Sequence, residues 1–362
     1  MDHAKVLLPP RPDALPLAQH GPHGVGVVTE TFVDESRDRP LIVECWYPAE
    51  VPEGTQEATE YGPTSWYGLT DPVSFAGRAL RNREPSVEDA PTLLYAHGAP
   101  GSRLQATYLC EHLASHGFFV CAVDALRMTY GDFDEQAYIS GLVDRPLDVS
   151  FVLDELAQRF AGSALVEHAA IVGYSFGGYA ALASCGAGFD FEQLKAHSHR
   201  QDNIGYALGF RERLEPLRGK QRGWQGDERI HAAFVMAPWN APLLELAQVS
   251  VPLFVAVGED DAVAPLERDA KRIFEQVSSR EAQLMVFERG AHNLFTNPGL
   301  PESRLNGAAW AHVSDPVWDK ERVGDIVKHA ALGFMQRHLL GQEVDEAVRL
   351  LSMTPGVRLE TR

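Results

Sequence analysis

Short apolar runs alternate with longer amphipathic stretches from residue 91 onward. This alternation is typical of strand–helix–strand units, in which a crossover helix joins two parallel strands. The runs are almost continuously hydrophobic, which indicates strands that are buried on both faces of a sheet. The pattern predicts strands at 91–96, 118–124, 168–174, 231–237, 251–258 and 282–287, and helices at 104–116, 145–160, 176–185, 265–277 and 319–340.

The chain before residue 91 has a different character. Residues 25–33 and 41–47 are rich in β-forming side chains and predict an opening antiparallel pair. Residues 52–90 are rich in Gly, Pro, Ser and Glu and predict a long, partly helical connection. Five prolines within residues 1–23 predict an extended N-terminal arm, so that 24–362 forms a single α/β domain.

One predicted connection is too long for a simple crossover. Residues 186–229 are rich in His, Arg, Gln and Asp. An insertion of this size in an α/β domain is usually a lid or part of the substrate pocket, and the alternative is a surface excursion without a role in binding. We therefore expect an α/β fold with a mostly parallel central sheet, helices on both faces and a helical, lid-like insertion.

Composition and charge narrow the class of protein. Of 362 residues, 45% are hydrophobic and 23% are charged, which is typical of a folded domain and excludes disorder. The formal charge of −18 repels phosphate backbones, so we expect no nucleic-acid partner. No apolar run exceeds six residues, so we expect no membrane-spanning segment. The first residues do not have the pattern of a signal peptide, and the expected location is cytoplasmic.

The cysteines and histidines do not indicate a metal or redox centre. Cys45, Cys110, Cys121 and Cys185 are scattered without a C-x-x-C pair and predict buried free thiols. The pair His197/His199 has no third ligand within reach in the sequence, so a zinc site is not expected. We expect neither a metal nor a cofactor.

A serine occupies a sharp turn between a predicted strand and a predicted helix. Strand 168–174 runs into the G-x-S-x-G pattern of residues 173–177 and then into a helix. This arrangement is that of a nucleophile elbow, in which the hydroxyl of Ser175 points outward at the top of the sheet. Gly173 and Gly177 avoid Cβ collisions in the turn, and the helix N-terminus adds positive potential nearby. The alternative is a tight glycine turn that carries an ordinary serine.

Three acidic residues follow the predicted strand 251–258, namely Glu259, Asp260 and Asp261. A serine hydroxyl needs a base, and the base needs an orienting acid. Parallel strands present their carboxyl ends at one edge of the sheet, so an acid here lies beside the elbow. We choose Asp261, four residues before the helix-opening Pro265; Asp260 remains the rival, and Glu259 is expected to lie too near the strand.

His292 is the candidate base. It lies in a loop with Gly290 after the predicted strand 282–287. An imidazole titrates near neutrality and can act first as a base and then as an acid. The chain order of serine, acid and histidine is that of a nucleophile-elbow hydrolase. The alternative is a histidine in an ordinary surface loop.

A second turn could supply the N–H groups of an oxyanion hole. The predicted strand 91–96 leads into His97-Gly98-Ala99-Pro100-Gly101. Pro100 has no N–H, so the backbone of Gly98 or Ala99 is the donor from this turn, and we favour Ala99. The N–H of Phe176, which follows the serine, is the other donor. Tyr174 and Trp239 are candidates for the substrate pocket, with core packing as the alternative.

From these residues the chain resembles the α/β-hydrolase superfamily, especially its platelet-activating-factor acetylhydrolase-like, dienelactone hydrolase-like and cutinase-like branch. The resemblance covers roughly residues 24–340. It implies that Ser175 is the nucleophile, Asp261 the orienting acid and His292 the base, and it favours Ala99 and Phe176 as oxyanion donors. The segments that carry it, besides the elbow, are 38–41, 45–48, 97–98, 111–117, 145–148, 258–261 and 290–292.

Two departures from this family pattern matter. The insertion at 186–229 is longer than the compact cutinase-like pattern, and Ser175 stands where dienelactone hydrolases proper often use cysteine. The sequence therefore predicts a lidded serine esterase that cleaves small to medium or lipid-like carboxylic esters through an acyl-enzyme. The alternatives are an acyltransferase or perhydrolase with the same three residues, and a non-catalytic binding protein on the same fold. The sequence leaves the oligomeric state open.

Overall fold

A sheet of ten strands organises the described part of this computed structural model, which comprises residues 11–52, 55, 58–66, 69, 71–189, 226–297, 310 and 314–362. The strands in these ranges, of which β3 with β4 and β9 with β11 form two separate two-stranded sheets, are β1 (Gly24–Asp34), β2 (Arg39–Ala49), β3 (Thr59–Thr64), β4 (Val73–Gly77), β5 (Leu80–Arg81), β6 (Ala90–Ala96), β7 (Phe119–Val123), β8 (Ala164–Tyr174), β9 (Gly188–Phe189), β10 (Ile230–Met236), β11 (Leu244–Glu245), β12 (Leu253–Gly258), β13 (Ala282–Phe287) and β14 (Val357–Thr361). The helices are α1 (Thr107–Ser115), α2 (Glu135–Arg159), α3 (Phe176–Ser184), α4 (Ala270–Gln276), α5 (Lys320–Leu340) and α6 (Asp345–Ser352).

The central strands of the sheet are parallel. The strand order is β14-β13-β12-β10-β8-β6-β7-β2-β1-β5, and the six strands from β13 to β7 run in one direction. Strand β14 pairs antiparallel with β13, β2 pairs antiparallel with β7 and β1, and β5 pairs parallel with β1. One buried cluster joins the sheet to α2, α3 and α4, and a second joins its other face to α1 and α5. The predicted mostly parallel sheet with helices on both faces is confirmed.

The helix predicted at 145–160 begins ten residues earlier, at Glu135. Asp134 caps it by accepting a hydrogen bond from the N–H of Ala137 at 2.8 Å. Pro146 is the second residue of the predicted range, but it lies inside the observed helix. Proline cannot bond the carbonyl four residues back, which belongs to Leu142. The hydroxyl of Tyr179 on α3 donates to that carbonyl at 2.9 Å, so tertiary packing satisfies the freed oxygen.

The structure also differs from the sequence predictions in the segment 52–90 and after residue 340. The segment 52–90 was expected to be partly helical, but its described residues form β3, β4 and β5. The helix predicted at 319–340 is present as α5, but two elements without a sequence prediction follow it, namely α6 and the edge strand β14. The alternation of apolar and polar residues in β14 is only five residues long, too short to be distinguished from a loop by pattern alone.

The insertion expected to form a lid lies mainly outside the described residues, because 190–225 are not among them. At its described start, β9 pairs antiparallel with β11. Near the N-terminus, residues 11–18 lie along α5, where the N–H of Leu17 donates to Nδ1 of His329 at 3.0 Å. None of the helices in the described ranges has the length and apolar character needed to cross a bilayer.

Candidate active site

Ser175 lies in the turn between β8 and α3. Its backbone has φ 53° and ψ −117°, a region that is unfavourable for residues with a Cβ and is typical of a nucleophile elbow. Two backbone hydrogen bonds to the segment at the end of β10 fix the turn. The N–H of Ser175 donates to the carbonyl of Met236 at 2.9 Å, and the carbonyl of Ser175 accepts from the N–H of Trp239 at 3.1 Å. The hydrogen bonds to the end of β10 hold the strained conformation in place.

The elbow glycines are needed for close approach of the backbone. A Cβ on Gly173 would lie 2.3 Å from the carbonyl oxygen of Gly177, and a Cβ on Gly177 would lie 1.9 Å from that of Ala96. Both distances are well below van der Waals contact. The absence of side chains at these positions lets α3 begin directly against the end of β6.

Of the three acids after β12, Asp261 faces the histidine. Its side chain is buried, and Oδ1 accepts from the N–H groups of Val263 and Ala264 at 2.8 and 2.7 Å. Asp260 is exposed. Glu259 turns toward the edge of the sheet, where it pairs with Arg358 at 2.9 Å. The two backbone donors fix the orientation of the Asp261 carboxylate and aim its other oxygen at the site.

His292 lies between the acid and the serine. Its Nδ1 is 2.7 Å from Oδ2 of Asp261, and its Nε2 is 2.9 Å from Oγ of Ser175. An ionised carboxylate only accepts hydrogen bonds, so Nδ1 carries the proton and Nε2 is free to accept from the serine hydroxyl. The structure thus brings the three predicted residues into one hydrogen-bonded chain.

The turn that carries His292 is a short 3-10 helix, His292–Phe295. The hydroxyl of Tyr174 donates to Oδ1 of Asn293 at 3.0 Å, and its ring centroid lies 5.4 Å from that of His292. Asp315 accepts from the N–H of Ala291 at 2.8 Å, just before the turn. Burial raises the pKa of Tyr174 well above its usual value, so it remains a hydroxyl donor.

The turn after β6 lies against the elbow. A Cβ on Gly98 would be 3.3 Å from Cβ of Ser175, which shows how closely the two turns approach. The N–H of Gly98 already donates to Oε1 of Gln105 at 2.9 Å. Of the two donors left open by the sequence, Gly98 is therefore occupied, and Ala99 follows it in the same turn.

His97 holds this second turn in place through two hydrogen bonds. It is fully buried, and its Nε2 accepts from the N–H of Ala125 at 2.9 Å while Nδ1 donates to the carbonyl of Gly98. Burial lowers its pKa to about 3, and the charge of Arg145 acts in the same direction. His97 is thus a neutral structural histidine, distinct in role from His292.

Aromatic rings pack behind the first residue of α3. The rings of Phe176 and Trp239 are stacked with centroids 5.5 Å apart, and Tyr138 meets Phe176 edge-on at 5.0 Å. Trp239 is only 5% exposed. The guanidinium of Arg145 lies 5.3 Å from the centre of the Phe176 ring, and burial lowers its pKa to about 10. A buried cation therefore lies one side chain away from the start of α3.

The first N–H groups of a helix have no partner within the helix, so the N–H of Phe176 at the start of α3 is a natural anion donor. With the hydroxyl, the imidazole and the carboxylate already aligned, the site has the parts needed for acyl transfer. Within the described ranges, no three His, Cys, Asp or Glu side chains converge in a way that could hold a metal ion.

Comparisons with known proteins bear on the fold. The profile of a family described as "PETase: PET hydrolase-like" matches residues 199–312, a stretch that contains Asp261 and His292. A ferulic acid esterase from Streptomyces cinnamoneus matches with a TM-score of 0.64 and 19% identity, over 94% of this chain and 97% of that chain. The chain has the α/β-hydrolase fold. The fold predicted from the sequence is therefore confirmed.

No curated protein matches the chain significantly. In contrast, 634 chains of solved structures match it. Because one fold can serve many reactions, the α/β-hydrolase fold alone does not assign a function to this chain.

Sequence reasoning missed the residues that support the turn of His292. Asp315 and Lys320 lie more than twenty residues further along the chain and contact the turn only in the folded molecule. One local signal was present: Lys320 is the first residue of α5, where a positive charge is unfavourable to the helix dipole. A residue that opposes the local preference of its helix indicates a role in tertiary structure.

Proposed function

We propose that this chain is a serine hydrolase that cleaves carboxylic esters through an acyl-enzyme intermediate. The observation that carries the proposal is the hydrogen-bonded chain Ser175–His292–Asp261, with distances of 2.9 and 2.7 Å. The PET hydrolase-like family match and the ferulic acid esterase neighbour support an ester substrate.

In the proposed reaction, His292 accepts the hydroxyl proton as Oγ of Ser175 attacks the ester carbonyl. Asp261 keeps the imidazole in the required tautomer and stabilises the imidazolium that forms. The same histidine then protonates the leaving alcohol. Water, activated by His292, attacks the acyl-enzyme, releases the carboxylic acid and regenerates the serine.

The developing oxyanion is stabilised by the backbone N–H groups of Ala99 and Phe176. Support for Ala99 comes from Gly98, whose N–H is occupied by Gln105 at 2.9 Å. Support for Phe176 comes from its position at the start of α3. Removing one oxyanion donor typically costs an enzyme about 100- to 1000-fold in kcat, so both contacts matter.

The substrates we propose are esters with small to medium or lipid-like acyl groups. Aromatic acyl groups belong in the same test, because the family and the neighbour are named for esters of aromatic acids. Trp239 and Tyr174 are the pocket candidates, and both are buried beside the elbow. A panel of p-nitrophenyl esters graded by acyl length, extended with a feruloyl and a terephthaloyl ester, would define the class.

The direct test is the variant Ser175→Ala. It should lose ester turnover and labelling by a fluorophosphonate probe, while its circular dichroism and thermal unfolding stay those of the wild type. The matched control is Ser184→Ala, a buried serine at the end of α3, away from the turn. Turnover that survives in Ser175→Ala would refute the proposal, as would a wild-type chain that neither hydrolyses esters nor reacts with the probe.

A further inference from the structure

The turn of His292 is held from the side by the first residue of α5. Nζ of Lys320 donates to the backbone carbonyl of Asn293 and, at 2.9 Å, to Oγ1 of Thr296. Asn293 directly follows His292, and Thr296 directly follows the 3-10 helix as its C-cap. The ammonium group thus ties the two ends of the turn together.

The environment of Lys320 is unusual for a lysine. Burial lowers its pKa to about 7, and the carboxylate of Asp315 opposes this shift. Asp315 itself accepts from the N–H of Ala291 at 2.8 Å, on the other side of His292. Lys320, at the start of α5, and Asp315, just before α5, therefore hold the backbone on both sides of His292.

Local helix stability does not explain this lysine. A partly buried cation costs free energy unless its contacts compensate, and a cation in the first turn of a helix opposes the helix dipole. The compensating contacts here are the two acceptors in the turn of His292. An apolar side chain of similar length would satisfy the packing but would leave the carbonyl of Asn293 without this donor.

We propose that Lys320 is a positioning residue that fixes the turn of His292, so that Nε2 stays aligned with Oγ of Ser175 through both proton transfers. The inference rests on the proposed serine-hydrolase function. A misplacement of about 1 Å at a catalytic group can cost about 100-fold in rate. Loss of the two Lys320 hydrogen bonds should therefore reduce turnover without weakening substrate binding.

The primary test is Lys320→Met, measured as kcat, KM and thermal unfolding. We expect kcat to fall about 10- to 100-fold, KM to change less than about twofold, and the unfolding temperature to stay level or rise. Stability should not fall, because replacing a partly buried, desolvated charge with an apolar side chain is often neutral or favourable. The combination of lower kcat and retained stability separates positioning from a merely structural role.

Two further variants sharpen the test. Lys320→Arg keeps the charge and the donors and should restore most of the lost kcat. Lys328→Met makes the same substitution on the same helix, where the lysine pairs with Asp325 at 3.0 Å, and should leave kcat unchanged. A wild-type kcat in Lys320→Met, or a loss of kcat that only accompanies a loss of stability, would overturn the inference.

Thr296→Val gives an independent measurement if Lys320→Met does not fold. It removes one acceptor of the lysine and should lower kcat about three- to tenfold. Where Lys320→Met does fold, the double variant should lose no more kcat than Lys320→Met alone. Wild-type kcat in Thr296→Val would count against the positioning role of Lys320. If Lys320 variants behave like the wild type while Ser175→Ala is inactive, only this inference fails; if Ser175→Ala is active, the proposed function fails first.

Discussion

Nε2 of His292 lies 2.9 Å from Oγ of Ser175, although 117 residues separate the two in the chain. The contact exists because β8 and β13 are parallel and end at the same edge of the sheet. Asp261 reaches the same point from the end of β12, which lies beside β13. Each residue is placed by the strand that precedes it, and substitutions at the strand ends should therefore have predictable effects.

Asp261 and Asp260 are adjacent in sequence but differ in environment. Asp261→Asn keeps an oxygen for the N–H groups of Val263 and Ala264, but its amide cannot serve as the anionic acceptor for His292. By analogy with other serine hydrolases, kcat should fall about 1,000- to 10,000-fold. Asp260→Asn, at an exposed site, should change kcat less than about threefold. Steady-state turnover of a p-nitrophenyl ester measures both, and the reverse order would show that the acid was wrongly chosen.

Gly177→Ala tests the close packing of the elbow. Its Cβ would lie 1.9 Å from the carbonyl oxygen of Ala96, so the backbone has to move. We expect a loss of about 3 kcal/mol in the free energy of unfolding and a loss of turnover. Gly324→Ala on α5 is the control, because its Cβ would meet the ring of Tyr108 at 3.6 Å, an ordinary contact.

In that control, alanine should be neutral or stabilise by up to about 1 kcal/mol, since glycine is unfavourable within a helix. Urea titrations of both variants give the comparison. Equal stabilities would mean that the turn between β8 and α3 adapts more easily than the close approach of Gly177 and Ala96 implies.

His97 should make the stability of the protein depend on pH. Burial lowers its pKa from 6.5 to about 3 in the folded state, so the unfolded chain binds more protons between these values. The free energy of unfolding should therefore decrease as the pH falls below 6.5, by about 1.4 kcal/mol per pH unit from this residue. Between pH 7.5 and pH 5 the contribution should be about 2 kcal/mol.

His97→Asn removes the titrating group, and its stability should change less between these two pH values than that of the wild type. The quantity to compare between the two proteins is the change in the free energy of unfolding from pH 7.5 to pH 5. Stabilities at a single pH do not serve, because the substitution also removes hydrogen bonds at every pH. His231→Asn, at an exposed position on β10, should keep the wild-type change. Parallel pH dependences for the wild type and His97→Asn would contradict the prediction.

Local pattern was enough to predict much of the fold and the site. The strand 282–287 was predicted at the bounds of β13, because the apolar run 284–287 ends there in charged and glycine residues. Ser175 was recognisable because an elbow needs small residues at fixed spacing within one short turn. The failures have non-local causes: the carbonyl freed by Pro146 is satisfied by Tyr179 from another helix, and β14 is stable only as the partner of β13.

The sequence by itself determined which residues have the right chemistry and which turns they lie in, because turn geometry and strand burial depend on neighbours within a few positions. Only the tertiary structure decided between Asp260 and Asp261 as the partner of His292. It also brought Lys320 and Asp315 to the backbone around that histidine. These outcomes depend on where separate strand ends and the start of α5 meet in space. The physical reason is that hydrogen bonds between distant segments form only after the sheet has aligned them.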